Sequence, residues 1–156
     1  MLPASAFQGE NGRMSNDAIK VLDEQACLEK LRGEKLGRLV VRRKDDMDIF
    51  PVNFVLDESD EAPCLYFRSA EGSKLFSVNL NHDVLFEIDH LEGEEHAWSV
   101  VVKGTAAVVE TFAEIRHADT LDLKPWVPTL KYNYVRINID SLSGRAFDLG
   151  EEPERY

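Results

Sequence analysis

From residue 36 onward, short segments rich in β-branched and aromatic residues are separated by polar or glycine-containing breaks. The segment 131–140 has a clear period of two, which places Val135, Ile137 and Ile139 on one face, as in a half-buried strand. Seven strands are expected, over residues 36–43, 49–56, 64–68, 84–89, 97–109, 131–140 and 145–149. The last two are separated by an expected turn at Ser143 and Gly144, and Gly104 predicts a bend or bulge in the long fifth strand.

Three short helices are expected among these strands. Asp23 suits the N-cap of the first helix and Gly33 its end. The second helix covers residues 72–80, and the third begins at a capping box over residues 111–114 and runs to about residue 121. The sequence has no internal repeat and no regular alternation of strands with helices, so the pattern predicts a mainly β protein, a small antiparallel barrel.

The length of 156 residues fits one domain, expected over residues 21–150. Residues 1–20 lack periodicity and are expected to form a flexible N-terminal arm, and residues 151–156 an acidic tail. No run of apolar residues exceeds four and no secretory leader is recognisable, so the expected location is the cytoplasm rather than a membrane. Cys27 and Cys64 match no zinc spacing and are expected to be buried, reduced thiols.

The formal net charge of −11 disfavours nucleic acid and anionic membranes as partners. The acidic stretches 57–61, 92–95 and 151–154 are expected to be solvated loops or ends. The four histidines lack the spacing of metal ligands, so no metal site is expected and each is interpreted as a surface residue: His82, His90, His96 and His117.

The segment 66–74 is the densest candidate site. A strand ends at Arg68 and Ser69, and Gly72 precedes Ser73 and Lys74 at the start of the expected second helix. Helix N-terminal amides attract anions, Arg68 can bind two phosphate oxygens as a fork, and Lys74 adds a point charge. From the residues alone, a phosphate site and a plain strand–helix junction with surface charges remain equally open.

The order of several motifs along the chain resembles the pyridoxamine 5′-phosphate oxidase-like family, the FMN-binding split barrels. The resemblance extends over about residues 23–149. It implies a split β-barrel, a homodimer, and FMN held in a cleft between the two subunits. The motifs that carry it are Gly37-Arg38-Leu39, Pro51-Val52-Asn53-Phe54, Tyr66-Phe67-Arg68-Ser69 with Gly72 and Lys74, Phe86-Glu87-Ile88-Asp89, Trp98-Ser99-Val100 with Gly104, and Arg136-Ile137 with Ser143-Gly144-Arg145.

The resemblance assigns these residues to three parts of the flavin site. Those at the phosphate are Arg68, Ser69 and Lys74, with Ser73 beside them. Those on the strand beside the isoalloxazine ring are Pro51, Val52, Asn53 and Phe54, and those that reach the flavin from the partner subunit are Trp98 and Ser99. From the residues alone, Asn53 could equally face outward from its strand, and Trp98 is better explained as barrel core.

The sequence departs from true pyridoxamine phosphate oxidases in two ways, so oxidation of vitamin B6 is not the expected activity. Pro51 and Val52 replace an arginine-bearing flavin segment, and no segment rich in Arg and Trp follows Gly150. The first hypothesis is therefore an FMN-dependent oxidoreductase acting on a small, unidentified substrate, with catalytic residues unknown. The alternatives are a flavin carrier without turnover, and the same fold with F420 or haem. The loop 124–128, which contains Trp126, is expected to line the flavin cleft.

Overall fold

The computed structural model describes residues 18–43, 45–70, 82–124 and 132–151. In this part of the chain lie seven strands and two helices. In chain order they are β1 (Ile19–Leu22), α1 (Glu24–Gly33), β2 (Leu36–Arg43), β3 (Asp46–Asp57), β4 (Cys64–Ser69), β5 (Asp83–Glu92), β6 (His96–Val108), α2 (Phe112–Asp119) and β7 (Asn133–Asp148). The predicted class, a mainly β antiparallel barrel, is confirmed. No helix among the described residues is long and apolar enough to cross a membrane.

The strands form one antiparallel sheet that closes on itself. Its order is β1-β7-β4-β3-β2-β5-β6, and the end strand β6 also pairs with β7, which closes a ring. One edge of β7 is shared, because its first half pairs with β4 and its second half with β1. The result is a ring of six strands, with β1 attached outside the ring beside β7.

Alternating side chains of the ring fill its interior. The largest of them that are fully buried are Phe67, Phe86, Leu39, Leu65, Ile88 and Ile137. Phe86 lies over Gly37, where an added Cβ atom would collide with the end of the phenyl ring. Glycine at this position therefore makes room for the largest side chain of the barrel centre.

Helix α1 packs against this core with one face. The side chain of Asp23 caps it, accepting a hydrogen bond of 2.8 Å from the amide of Ala26, as predicted. Cys27, Leu28 and Leu31 recur at helical spacing and are buried in the same cluster as the barrel core. The predicted burial of Cys27 is thus confirmed, whereas Cys64 is half-buried and both are free thiols.

The expected turn at Ser143 and Gly144 is wrong. Strand β7 continues through both residues, and Gly144 pairs with Leu22 on one side and Val100 on the other. A Cβ atom at Gly144 would lie 2.7 Å from the sulfur of Cys27. This glycine therefore serves close packing against α1, and not a reversal of the chain.

The bulge expected at Gly104 is confirmed. The register between β6 and β7 shifts between Lys103 and Gly104. A Cβ atom at Gly104 would collide with the carbonyl oxygen of Asn138 on β7. The irregularity bends the longest strand pair of the barrel where the backbones approach closely.

The N-terminal boundary also differs from the expectation. Ile19 and Lys20, assigned to the flexible arm, pair with Phe147 and Ala146 in β1. The expected count of seven agrees with the strands of the described ranges only because the sequence analysis omits β1 and divides β7 into two. Residues 1–17, the expected helix 72–80 and the tail 152–156 lie outside the described residues.

Candidate functional site

Strand β3 changes its hydrogen-bonding partner halfway along. It pairs with β2 from Asp46 to Asn53, and with β4 from Phe54 to Asp57. Within the described residues, no strand pairs with Asp46–Asn53 on the side away from β2. The barrel wall is therefore split between β3 and β4, and the main chain of Pro51–Asn53 borders the split.

The end of β4 forms the other side of this split. Phe67 lies opposite Phe54, and β4 then continues along β7 to Ser69 without pairing with β3. One more step of the antiparallel register brings Arg68 opposite Asn53. Two of the three predicted segments, 51–54 and 68–69, thus meet at one place in a single chain.

Arg68 lies at this split with one buried donor unpaired among the described residues. Its Nε atom is buried and has no hydrogen-bond partner among the described residues. The centroid of the Tyr132 ring lies 3.4 Å from Cζ of the guanidinium. The ring covers one face of the guanidinium, whereas the N–H groups point outward in its plane. This geometry suits an anion bound at the edge of the group.

The four predicted residues on β3 face opposite ways. Val52 and Phe54 point inward, and Phe54 makes an edge-to-face contact with Phe86 at 4.8 Å between ring centroids. Their side chains belong to the core, and the amide of Phe54 donates to the carbonyl oxygen of Lys35 on the β2 side. Alternate residues of an antiparallel strand point their main-chain groups the same way, so Val52 also faces β2. Pro51 and Asn53 lie on the outer face.

The side-chain amide of Asn53 anchors the segment that follows α2. Its Nδ2 donates a 3.0 Å hydrogen bond to the carbonyl oxygen of Lys124. This bond places the beginning of the loop 124–128 beside the split, whereas residues 125–128, with Trp126, lie outside the described residues. Ser73 and Lys74 lie outside them as well.

Trp98 and Ser99 lie on the opposite wall of the ring. In either direction around the ring, two strands separate β6 from β3. Trp98 is 5% exposed, and its indole N–H donates to Glu92 at 3.0 Å, as suits a core residue. Ser99 lies on the outer face, between Asp89 and Arg145 in the register. These two residues do not meet the split within one chain.

A second polar cluster joins α2 to the outside of β3, β4 and β7. Glu114 accepts from the Tyr66 hydroxyl at 3.2 Å and pairs with Arg136. One turn further along α2, His117 Nε2 lies 2.7 Å from a carboxylate oxygen of Asp57. Beside them is a cavity of about 560 Å³, bounded by α2, β4, β7 and the segment before β4. The charged groups named here are paired with one another, so the cluster fastens α2 to the barrel.

Asp57 in this cluster was misassigned as a solvated loop residue. It is the last residue of β3 and is only 5% exposed. Burial raises the pKa of its carboxyl, but hydrogen bonds from His117 and Ser59 outweigh this and leave the pKa below its ordinary value. The sequence feature that points to this cluster is the three-residue spacing of Glu114 and His117, which puts both side chains on one face of α2.

The contacts of Ser59 do not make it a nucleophile. Its hydroxyl donates to Asp57 at 2.7 Å, and it lies 3.4 Å from the same His117 Nε2 that binds Asp57. A catalytic triad needs the imidazole to bridge serine and carboxylate through different nitrogens. Cys64 beside the cavity is equally unsuited, because burial and the negative charge of Asp57 raise its pKa to about 11.

Comparison with known proteins gives consistent results. The sequence model of the family described as pyridoxamine 5′-phosphate oxidase matches residues 23–146. A candidate pyridoxamine 5′-phosphate oxidase of Corynebacterium glutamicum is 58% identical, with a TM-score of 0.79 over 86% of this chain and 97% of that one. A conserved protein of unknown function from Corynebacterium diphtheriae is 62% identical, with a TM-score of 0.74 over 84% and 99%. The FAD-binding protein of Mycobacterium smegmatis is 37% identical, with a TM-score of 0.71 over 84% and 100%.

Proposed function

Since the chain belongs to the pyridoxamine 5′-phosphate oxidase family, we propose that it is a flavoprotein that holds FMN in the split between β3 and β4. This proposal rests on one observation: the Nε atom of Arg68 is buried and has no hydrogen-bond partner among the described residues. An arginine with a buried donor that no described residue binds, at an opening of the barrel, fits the phosphate of FMN. When bound, the flavin supplies hydride or electron transfer.

The chain's own residues would then bind and orient the cofactor. Arg68 and Ser69 at the end of β4 bind the phosphate, with Ser73 and Lys74 predicted beside them. The main chain of Pro51 and Asn53, which has no strand partner on the side of the split within the described ranges, offers the Asn53 N–H as a donor and both carbonyl oxygens as acceptors to the ring edge. Ser99, on the outer face of β6 and across the ring from β3, is proposed to approach from a second subunit. The indole of Trp98 is held in its own barrel, so only the main chain of this residue is proposed to take part.

The second subunit is proposed to dock on the outer face of β3, β2 and β5. Ile49, Val40 and Leu85 are cross-strand neighbours there, with Ile49 62% and Leu85 37% exposed. This apolar row adjoins Pro51 at the split, so a two-fold dimer on this face would bring the cofactor to the interface. The two free thiols suit the reducing cytoplasm, the location proposed for this protein.

Replacement of Arg68 by alanine tests the phosphate site. We expect FMN affinity to fall roughly ten- to a hundredfold, because one charge-assisted contact of about 1.5–3 kcal/mol is lost. Lys74→Ala is expected to have an effect of the same size. Riboflavin, which lacks the phosphate, should bind the parent and both variants alike. Equal FMN affinity in parent and Arg68→Ala would refute the assignment.

The identity of the cofactor is tested by extraction. The purified protein is expected to show a flavin spectrum, and mass analysis of the released species is expected to give FMN. FAD is the second candidate, because the Mycobacterium smegmatis relative is an FAD-binding protein. A deazaflavin or haem spectrum would keep the fold and overturn the flavin proposal.

The proposed activity is oxidoreduction of a small molecule, and the competing function is flavin carriage. Photoreduced holoprotein is mixed in parallel with oxygen alone and with each of a set of nicotinamides, quinones and nitro compounds, and the rate of flavin reoxidation is measured. Faster reoxidation with one acceptor than in oxygen alone supports the oxidoreductase. Rates no faster with any acceptor, together with a ring covered on both faces, support the carrier.

A further inference from the structure

Tyr132 lies against the proposed phosphate site and is absent from the motifs that identify it. Its ring centroid is 3.4 Å from Cζ of Arg68, the separation of two flat groups in van der Waals contact. Tyr132 immediately precedes β7, and Arg68 pairs with Tyr134 of that strand. The contact therefore joins the segment that enters β7 to the end of β4.

A stacked ring restrains a guanidinium without using its hydrogen-bond donors. The N–H groups of arginine lie in the plane of the group, and a ring above that plane leaves them available. Rotamer freedom that Arg68 has already lost to the stack is not lost again when an anion binds. The buried Nε without a partner among the described residues is consistent with a group oriented in advance.

Tyr132 is itself fixed by contacts that lead back to α2. Its ring meets the ring of Tyr134 edge-on, with centroids 5.4 Å apart and an interplanar angle of 82°. Tyr134 is 7% exposed, and its hydroxyl donates a 2.6 Å hydrogen bond to Asp119. Burial and this bond raise the pKa of Tyr134 above its ordinary value, so the hydroxyl remains a donor in neutral solution.

We propose that Tyr132 is a positioning residue that makes the site select phosphorylated over unphosphorylated flavins, by holding the guanidinium of Arg68 toward the phosphate. The inference rests on the proposed flavin function and deepens it. Arg68 makes the contact with the ligand, and Tyr132 acts through Arg68. The effect of Tyr132 must therefore depend on the phosphate of the ligand and on the presence of Arg68.

The test is a comparison of FMN and riboflavin affinities by fluorescence titration. Tyr132→Leu removes the aromatic face and is expected to weaken FMN binding about two- to thirtyfold, the range of a cation–π contact, with riboflavin unchanged. Tyr132→Phe keeps the ring and should bind both ligands as the parent does. In the Arg68→Ala background, Tyr132→Leu should cause no further change in the FMN-to-riboflavin ratio.

Phe112→Leu is the matched control. It removes another ring near an arginine, since Phe112 is 80% exposed and Arg116 lies 5.8 Å from its centroid on the surface of α2. Both affinities should stay unchanged in this variant. A Tyr132→Leu protein that keeps the parent's ratio, or loses both ligands equally, overturns the inference while flavin binding stands. A parent that binds no flavin overturns the proposed function and the inference together.

Discussion

Cys64 is a residue whose chemistry is decided by its neighbours. Burial and the charge of Asp57 raise its pKa to about 11, so very little thiolate is present at pH 8. We expect the native protein to react with Ellman's reagent at pH 8 roughly a hundredfold more slowly than free cysteine, and Cys27, which is fully buried, to react more slowly still. In urea both thiols should react at the ordinary rate, and fast reaction of the folded protein would contradict the assignment.

The Asp57–His117 contact makes stability depend on pH in acid. Folding lowers the pKa of Asp57, so the unfolded chain binds more protons and stability falls as the solution is acidified. At pH 7, Asp57→Asn is expected to reduce the free energy of unfolding by about 1–3 kcal/mol. The stabilisation is complete above pH 3.8, the ordinary pKa of an aspartate, and is lost as the pH falls through the lower pKa of Asp57 in the folded protein.

Urea unfolding at a series of pH values checks this prediction. The parent and Asp57→Asn should converge progressively as the pH falls below 3.8. Asp60→Asn, in the same acidic segment but exposed, is the control and should follow the parent throughout. A difference between parent and Asp57→Asn that is independent of pH would show that the loss arises from packing and not from charge.

Single residues show which parts of the site could be read from the sequence. Arg68 and Asn53 were predicted because each lies in a local motif, and the register places them together. The roles of Tyr132 and Asp57 were not predicted, because each depends on a partner far away along the chain. Tyr132 contacts Arg68, 64 residues away, and Asp57 contacts His117, 60 residues away. The spacing of Glu114 and His117 indicates a polar face on α2, but local sequence does not identify the distant partner that this face meets.

At the scale of elements, strands with alternating or apolar sequences were predicted to within a few residues. The errors came from β1 and β7, where pairing and packing override local preference. β1 has only four residues and pairs with β7 alone, so its own sequence gives little pattern to detect. Gly144 resembled a turn signal, but its position beneath Cys27 shows that a strand glycine can serve packing instead.

Gly104→Ala tests the close approach at the bulge between β6 and β7. An added methyl group would meet the carbonyl oxygen of Asn138 and lie 2.7 Å from a side-chain carbon of Ile137. Because backbone is harder to displace than a flexible side chain, we expect a loss of about 1–3 kcal/mol in the free energy of unfolding. Gly33→Ala, at the end of α1 where nothing lies within 4 Å, is the control and should be at least as stable as the parent. Equal stability of the two variants would contradict the close approach.

At the scale of the whole molecule, the apolar outer row predicts the assembly state. Ile49→Lys places a charge in the middle of the proposed dimer face and is expected to give a monomer of 17.7 kDa in analytical ultracentrifugation. Phe112→Lys, at an 80% exposed apolar residue on α2, should leave the dimer intact. A parent that sediments as a monomer at micromolar concentration would remove the support for a shared cofactor cleft.

The closing position of β7 affects how the protein can be synthesised. β7 is the last of the described strands, and it pairs with β1, β4 and β6. Until residue 133 and those after it have left the ribosome, β1 has no strand to join, and β4 and β6 each present an unpaired edge. Long-range pairing of this kind slows folding and prolongs exposure to aggregation. The nascent chain can therefore form hairpins during translation, but it closes the barrel only after the whole of β7 has left the ribosome.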